Sequence, residues 1–251
     1  MSFIRNIDKS EIPTVNILGV NIAAINMPWL LDFVKRNIKD LSGDYICVSN
    51  VHTTVIASDN EDYKAIQNGG ILAIPDGGPL STIGRFRGAL HMERTTGPSF
   101  LEETLKAGCY RHFFYGSTDD TLKKISDNIK ALYPETQIAG LYSPPFRNLS
   151  YDEDIKITEM INKSKPDFVW VGLGAPKQEK WMASHQGKIN GLMVGVGAAF
   201  DYLAGNIKRA PDWMQRCNLE WLYRLLQDPR RLFKRYFATN TKFLCKLLLK
   251  R

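Results

Sequence analysis

Short apolar runs and amphipathic stretches take turns along most of this chain, and no other feature limits its fold as strongly. Residues 17–23, 45–48, 71–74, 112–115, 137–141, 168–171 and 192–196 read as strands: short, apolar and bounded by Gly, Pro or polar residues. Between them the periodicity predicts helices over 27–38, 54–67, 99–106, 119–132, 151–163 and 177–184. Asn26, with Pro28 just behind it, gives the first helix its start signal. Such a rhythm implies an α/β protein with a Rossmann-like, mostly parallel sheet covered by helices on both faces. Beyond Gly205 the strand-like runs stop. A boundary near 206–211 therefore divides an α/β domain over 1–205 from a helical appendage over 206–251.

Charge divides the chain at the same place. Residues 206–251 carry twelve Lys or Arg against three Asp or Glu, a net of +9, out of +7 for the whole chain. The first 205 residues are therefore close to neutral. In the tail, Trp213, Trp221, Tyr223, Phe233, Tyr236, Phe237 and many leucines interleave with the basic residues at helical spacing. Three readings follow: a helix lying on an anionic bilayer, a helix pair packed on the main domain, or a nucleic-acid surface. The four cysteines are far apart with no CxxC pair, which argues against a disulfide framework or structural zinc site and fits a reducing compartment. The first 14 residues are mixed and charged, unlike a signal peptide, and no apolar run approaches a membrane span.

The loops after the strands carry the candidate chemistry. The run 71–74 leads into Pro75-Asp76-Gly77-Gly78, which puts Asp76 at a strand's carboxyl end, where α/β folds bind ligands. Gly77 and Gly78 let a ligand approach the backbone. The strand 112–115 runs into Gly116-Ser117-Thr118, a helix start whose amides suit a phosphate; a simple cap by Ser117 or Thr118 fits equally. It matches neither GxGxxG nor a P-loop. In Gly172-Leu173-Gly174-Ala175-Pro176-Lys177-Gln178-Glu179, Lys177 and Gln178 fall in the first turn of a helix facing the mouth of the sheet. Gln178 can both donate and accept hydrogen bonds, whereas Glu179 reads as a carboxylate suited to the helix dipole. Arg94 in Glu93-Arg94-Thr95-Thr96-Gly97 suits a bidentate clamp on a pyrophosphate, or a surface pair with Glu93. His52, His91, His112 and His185 show no metal-ligand spacing.

These landmarks, with Ser49-Asn50-Val51-His52, Pro144-Pro145-Phe146, Gly195-Val196-Gly197-Ala198-Ala199-Phe200-Asp201 and Arg209-Ala210-Pro211-Asp212-Trp213, resemble the WecG/TagA/CpsF-type glycosyltransferases of bacterial cell-surface polymer synthesis. The resemblance runs from about Ile17 to Tyr236. It implies an inverting, metal-independent enzyme with no cofactor. That enzyme would move a sugar from a UDP-sugar donor to a polyprenyl-diphosphate-linked acceptor at the cytoplasmic face of the membrane. It gives Asp76 the role of general base, which agrees with the absence of a DxD partner for a divalent ion. Arg94 would stabilise the leaving diphosphate, with Gln178 and Asn50 orienting donor or acceptor. Gly77, Thr96, Gly116, Ser117, Gly172, Gly174, Lys177 and Asp201 are the substrate-binding candidates. The tail would meet the anionic membrane, with Arg224, Arg231 and Arg235 as contacts to the acceptor diphosphate or headgroups. That ranks the membrane reading first and puts nucleic acid, not expected as a partner, far behind as a third and weaker option. Self-association through the apolar tail stays open. A nucleotide-binding regulatory module without catalysis is the competing reading. Some relatives have Thr where this chain has Val48, so the donor sugar, among N-acetylmannosamine, glucose and uronic acid types, is not fixed by sequence.

Overall fold

A computed structural model describes residues 7–249 of the chain. It opens with an antiparallel hairpin, β1 (Thr14–Ile17) against β2 (Val20–Ala23), which turns through Leu18 and Gly19 at φ 52° and 95°. Two successive positive φ values are what a two-residue hairpin turn requires. The single strand expected over 17–23 is therefore two strands, and Gly19 was the signal for it.

The main sheet follows. In chain order the elements are α1 (Met27–Asn37), β3 (Tyr45–Ser49), α2 (Val51–Asp59), α3 (Glu61–Gly69), β4 (Leu72–Pro75), α4 (Gly78–Phe86) and α5 (Gly97–Lys106). Next come β5 (Arg111–Gly116), α6 (Asp119–Leu132), β6 (Gln137–Tyr142), α7 (Tyr151–Lys163), β7 (Phe168–Gly172), α8 (Lys177–Ser184), β8 (Leu192–Gly195) and the short α9 (Ala199–Leu203). Six strands pair in the order β4-β3-β8-β7-β5-β6, every pairing parallel. The α/β expectation holds, with α7 and α8 at the bounds the periodicity gave. The helix expected over 54–67 is broken at Asn60, whose extended backbone ends α2 and whose side chain caps α3 by accepting from Tyr63 N at 2.7 Å.

Successive residues of the strands feed two separate cores. Ile46, Val48, Phe114, Phe168 and Trp170 pack with Leu30 and Phe33 of α1, Phe100 of α5 and Ile125 of α6. Their neighbours Tyr45, Cys47, Tyr115, Val169 and Val171 face the other side, against Val55 of α2, Tyr63 of α3, Ile157 of α7 and Met182 of α8. Burial on both faces explains why these strands read as continuous apolar runs.

After α9 the described chain is helical: α10 (Asp212–Arg216), α11 (Glu220–Gln227) and α12 (Pro229–Leu249). One side of α12 returns to the α/β core. Phe243 is buried in the second core, and Lys242 and Lys246 reach Asp59 of α2 at 2.6 and 2.8 Å. The other side leaves Phe233, Phe237, Leu244 and Leu248 exposed. Among the described residues, no helix is long and apolar enough to cross a membrane.

Candidate active site

Because the strands are parallel, their carboxyl ends open along one edge of the sheet, and the candidate loops meet there. Asn50 follows β3 and Asp76 follows β4, the adjacent strand, and the Asp76 amide donates to Ser49 O at 2.7 Å. The loop after β8, then Gly172 to Gly174 after β7, then Gly116 and Ser117 after β5 continue the edge.

Asn50 is held by its own helix. Its Oδ1 accepts from the amides of His52 and Thr53 at 3.0 and 3.2 Å, while the Thr53 hydroxyl accepts from the Asn50 amide at 2.9 Å. This reciprocal cap fixes the side chain and leaves its amide group to hydrogen-bond the Asp76 carboxyl. Burial pushes the Asp76 carboxyl above the usual carboxylate range and nearby Glu220 adds to the rise, while Arg94, Arg224 and the Asn50 bond hold it back. A carboxyl with raised proton affinity beside guanidinium groups is the arrangement a general base needs.

Arg94 does not pair with Glu93. Its guanidinium donates to the Glu220 carboxylate at the start of α11, and through Nη1 to Gln215 O at 3.2 Å. Glu220 is 7% exposed and also lies 3.9 Å from Arg209 Nε. Arg209 reaches Ser99 Oγ at 2.6 Å, Thr96 Oγ1 at 3.4 Å and Glu102 at 3.3 Å. Arg224, one turn on from Glu220, lies over the Tyr202 ring at 5.8 Å. Asn218, between α10 and α11, packs on Gly78, where a Cβ would come within 2.8 Å of the Asn218 side chain. The tail is thus one wall of the site.

Helix α4, which starts immediately after Gly77, opens onto this edge with no side chain capping its first turn, as does the short α9 after β8. At α8 the Gln178 amide donates to Gly174 O at 3.0 Å, and the Glu179 carboxyl hydrogen-bonds its own backbone amide. Free helical amides at such ends attract anions. By contrast, α6 is capped by Thr118, which accepts from Thr121 N at 3.3 Å, and carries Asp119 and Asp120 in its first turn. The capping reading of the Gly116-Ser117-Thr118 loop holds, through Thr118. Gly116, at φ +124°, presses on β7 so closely that a Cβ would meet the Gly172 backbone at 2.7 Å. A Cβ on Gly172 would strike the Phe200 ring at 2.6 Å, whereas Gly174 at φ +76° has open space around it. Close packing thus accounts for two of the three glycines.

Gln178 is buried, and its Oε1 has no hydrogen-bond partner among the described residues. Lys177 beside it is exposed. Glu179 does lie in the first turn of α8, as expected of a carboxylate suited to the helix dipole, but it is fully buried, and burial pushes its carboxyl up. Thr96 is buried as the cap of α5, accepting from Ser99 N at 3.2 Å. Asp201 opens α9 and accepts from the Asn206 side chain at 3.3 Å. Val48 is buried beside Gly97, where a Cβ would meet its Cγ1 at 3.3 Å, so no polar group serves that spot. The side chains of Arg231 and Arg235 lie outside the described residues.

Sequence reasoning missed Glu220 and Tyr202, and did not reveal the burial of Glu179. An acidic residue amid twelve basic ones was the available signal for Glu220.

Known proteins resemble the chain over most of its length. The model of the glycosyl transferase WecG/TagA/CpsF family matches residues 15–251. An N-acetylglucosaminyldiphosphoundecaprenol N-acetyl-beta-D-mannosaminyltransferase of Bacillus subtilis (strain 168) is 30% identical over 223 residues, covering 87% of this chain and 85% of the relative. A protein of the same name from Staphylococcus aureus (strain MW2) is 28% identical over 232 residues, covering 90% and 89%.

Proposed function

The chain belongs to the glycosyl transferase WecG/TagA/CpsF family, and on that premise we propose that it moves a sugar from a UDP-linked donor to the sugar of a polyprenyl-diphosphate-linked acceptor. The relatives are named for N-acetylmannosaminyl transfer to N-acetylglucosaminyl-diphosphoundecaprenol, which makes N-acetylmannosamine the first donor sugar to test. The observation that carries this reading is the desolvated Asp76 carboxyl set among Asn50, Arg94 and Arg224 at the mouth of the sheet.

In the proposed reaction an acceptor hydroxyl attacks the anomeric carbon, the bond to the diphosphate breaks, and UDP leaves. The hydroxyl proton passes to Asp76. A single displacement inverts the anomeric centre. Asn50 holds the base through its amide. Charge developing on the leaving diphosphate falls to Arg94 and Arg224 and to the uncapped amides of α4, so no divalent ion is required. Gln178 contacts the donor through Oε1. Gly77, Lys177, Gly174 and Ser117 line the path of an extended donor along the edge, and Asp201 and Thr96 support its walls. From β4 to β5 that edge spans roughly 19 Å at about 4.8 Å per strand, a span that suits a nucleotide-sugar better than a compact ligand.

The acceptor is a lipid, so the site must work at a membrane. The exposed side of α12, with Phe233 and Phe237 stacked at 6.3 Å and basic residues around them, supports peripheral contact with an anionic surface by the 206–251 appendage. Arg231 and Arg235 belong to the same basic segment.

The test is acceptor-dependent UDP release across a panel of UDP-sugars, with a short-chain polyprenyl-diphosphate-N-acetylglucosamine and chelator present. Turnover with one donor, indifferent to chelator, is expected. Turnover abolished by chelator would remove the metal-independent mechanism, and donor consumption without a glycosylated lipid product would remove the lipid-linked acceptor.

A further inference from the structure

A chain of buried hydrogen bonds runs beneath the mouth of the sheet and ends on Gln178. Ser49 Oγ donates to Gln67 Oε1 at 2.6 Å, and Gln67 Nε2 donates to the Tyr63 hydroxyl at 3.0 Å. The Tyr63 hydroxyl faces the Glu179 carboxyl. From the other side, Gln178 Nε2 donates to Glu179 Oε1 at 2.8 Å. Ser49, Tyr63, Gln67 and Glu179 are all at most 1% exposed, and Gln178 is 4% exposed.

Direction matters more than number here. Tyr63 already accepts from Gln67, so its own proton is turned toward the Glu179 carboxyl, whose Oε1 accepts from Gln178 and whose Oε2 has no close hydrogen-bond partner among the described residues. A primary amide that gives its nitrogen to Glu179 must turn its oxygen away. That oxygen is the one buried atom of Gln178 left without a partner among the described residues. It points at the loop after β8, where a Cβ added to Gly197 would stand 3.4 Å from it. An amide rotated by half a turn would instead set its oxygen against a carboxylate oxygen and offer two donors to the ligand.

We infer that Glu179 is a positioning residue that locks the Gln178 amide, so that the site presents an acceptor at this point and selects a donor substrate carrying a hydroxyl or N–H there. This inference rests on the assignment of Gln178 to donor contact. Glu179→Gln keeps an oxygen at the accepting position, so it should serve nearly as well as the native acid. The effect does not depend on fixed charge; it depends on an acceptor at Oε1.

The experiment compares donor KM, kcat and melting temperature for wild type, Gln178→Ala, Glu179→Gln, Glu179→Met and Tyr63→Phe. One neutral hydrogen bond to substrate corresponds to about a tenfold change in binding. Gln178→Ala should therefore raise donor KM about tenfold with little change in acceptor KM. Glu179→Met has similar volume but no oxygen acceptor, and should match that rise. Glu179→Gln should stay within about threefold of wild type, and Tyr63→Phe should fall between. An unchanged donor KM in Glu179→Met, with Gln178→Ala impaired, overturns the positioning role. If Glu179→Met does not fold, an unchanged donor KM in Tyr63→Phe overturns it instead. An unchanged donor KM in Gln178→Ala would remove the assignment of Gln178 itself, a separate result.

Discussion

Arg94 and Glu220, 126 residues apart in the chain, form an ion pair that joins the loop ahead of α5 to the start of α11. Only 19% of the Arg94 side chain and 9% of Glu220 are exposed, so each is costly to leave without the other. The pair brings the tail against Asp76 and aims a guanidinium at the proposed diphosphate site. Glu220 also adds negative charge near Asp76, which raises the proton affinity of that carboxyl.

Glu220→Gln should act on both. Removing its charge lowers the proton affinity of Asp76, so the acid limb of the kcat/KM profile should move to lower pH. At neutral pH kcat/KM should fall about tenfold or more as Arg94 loses its fixed orientation. The groups facing Asp76 are Asn50, Arg94, Glu220 and Arg224, with Tyr202 from α9; none of the others changes charge in this variant. A pH–rate profile for the variant checks the shift.

Asp76 should also show in stability. Its folded-state pKa is raised by burial, so the fold favours the protonated form. Below the unfolded carboxylate pKa both states are protonated and nothing is lost. Above it, the folded state bears the cost of the buried charge, which grows until the pH passes the folded pKa. Asp76→Asn removes that cost. It should melt at or above the wild-type temperature at neutral pH, with the difference vanishing in acid. Thermal scans across pH measure this directly.

Gly116 should tolerate no side chain. An added Cβ would meet the Gly172 backbone at 2.7 Å, in a residue already at φ +124°. Backbone strain and overpacking together cost on the order of 3 kcal/mol. Denaturant unfolding of Gly116→Ala should show that loss, whereas Gly88→Ala, with nothing within 4 Å of its Cβ, should lose only the part due to its positive φ.

Membrane contact by α12 predicts a lipid-composition effect. Phe233 and Phe237 are 61% and 68% exposed. Replacing both with Ala should weaken binding to anionic vesicles by about tenfold or more, at roughly 1 kcal/mol for each partly inserted ring. Neutral replacements of Arg224, Arg231 and Arg235 together should reduce activity on the same vesicles. Vesicle sedimentation and transfer assays separate the two effects.

The sequence made the fold's repeating part easy to read and its exceptions hard. Strands buried on both faces and strongly periodic helices such as α6 and α7 carry local signals. The break at Asn60 depends on a side-chain cap that competes with an otherwise continuous helical pattern. Helix α4 begins at Gly78-Pro79, residues that read as loop, and is held by Leu80 in the second core and by Asn218 from the tail. The site divides in the same way. Asp76 and Asn50 are legible because each follows a strand. Their setting is not: Glu220 comes from a distant helix, and Glu179, a first-turn carboxylate by sequence, is buried against Tyr63 of α3.

The central claim is that Asp76 takes the acceptor proton, and the most direct measurement is the pH profile of transfer for wild type beside Asp76→Asn. With polyprenyl-diphosphate-N-acetylglucosamine and the active UDP-sugar, the variant should lose about 10²- to 10⁴-fold in kcat while still binding UDP. The wild-type rate should fall as pH drops through a value above the ordinary carboxylate range, the direction set by burial of Asp76. A variant that turns over at the wild-type rate with the same acid limb would contradict the assignment and place the base elsewhere.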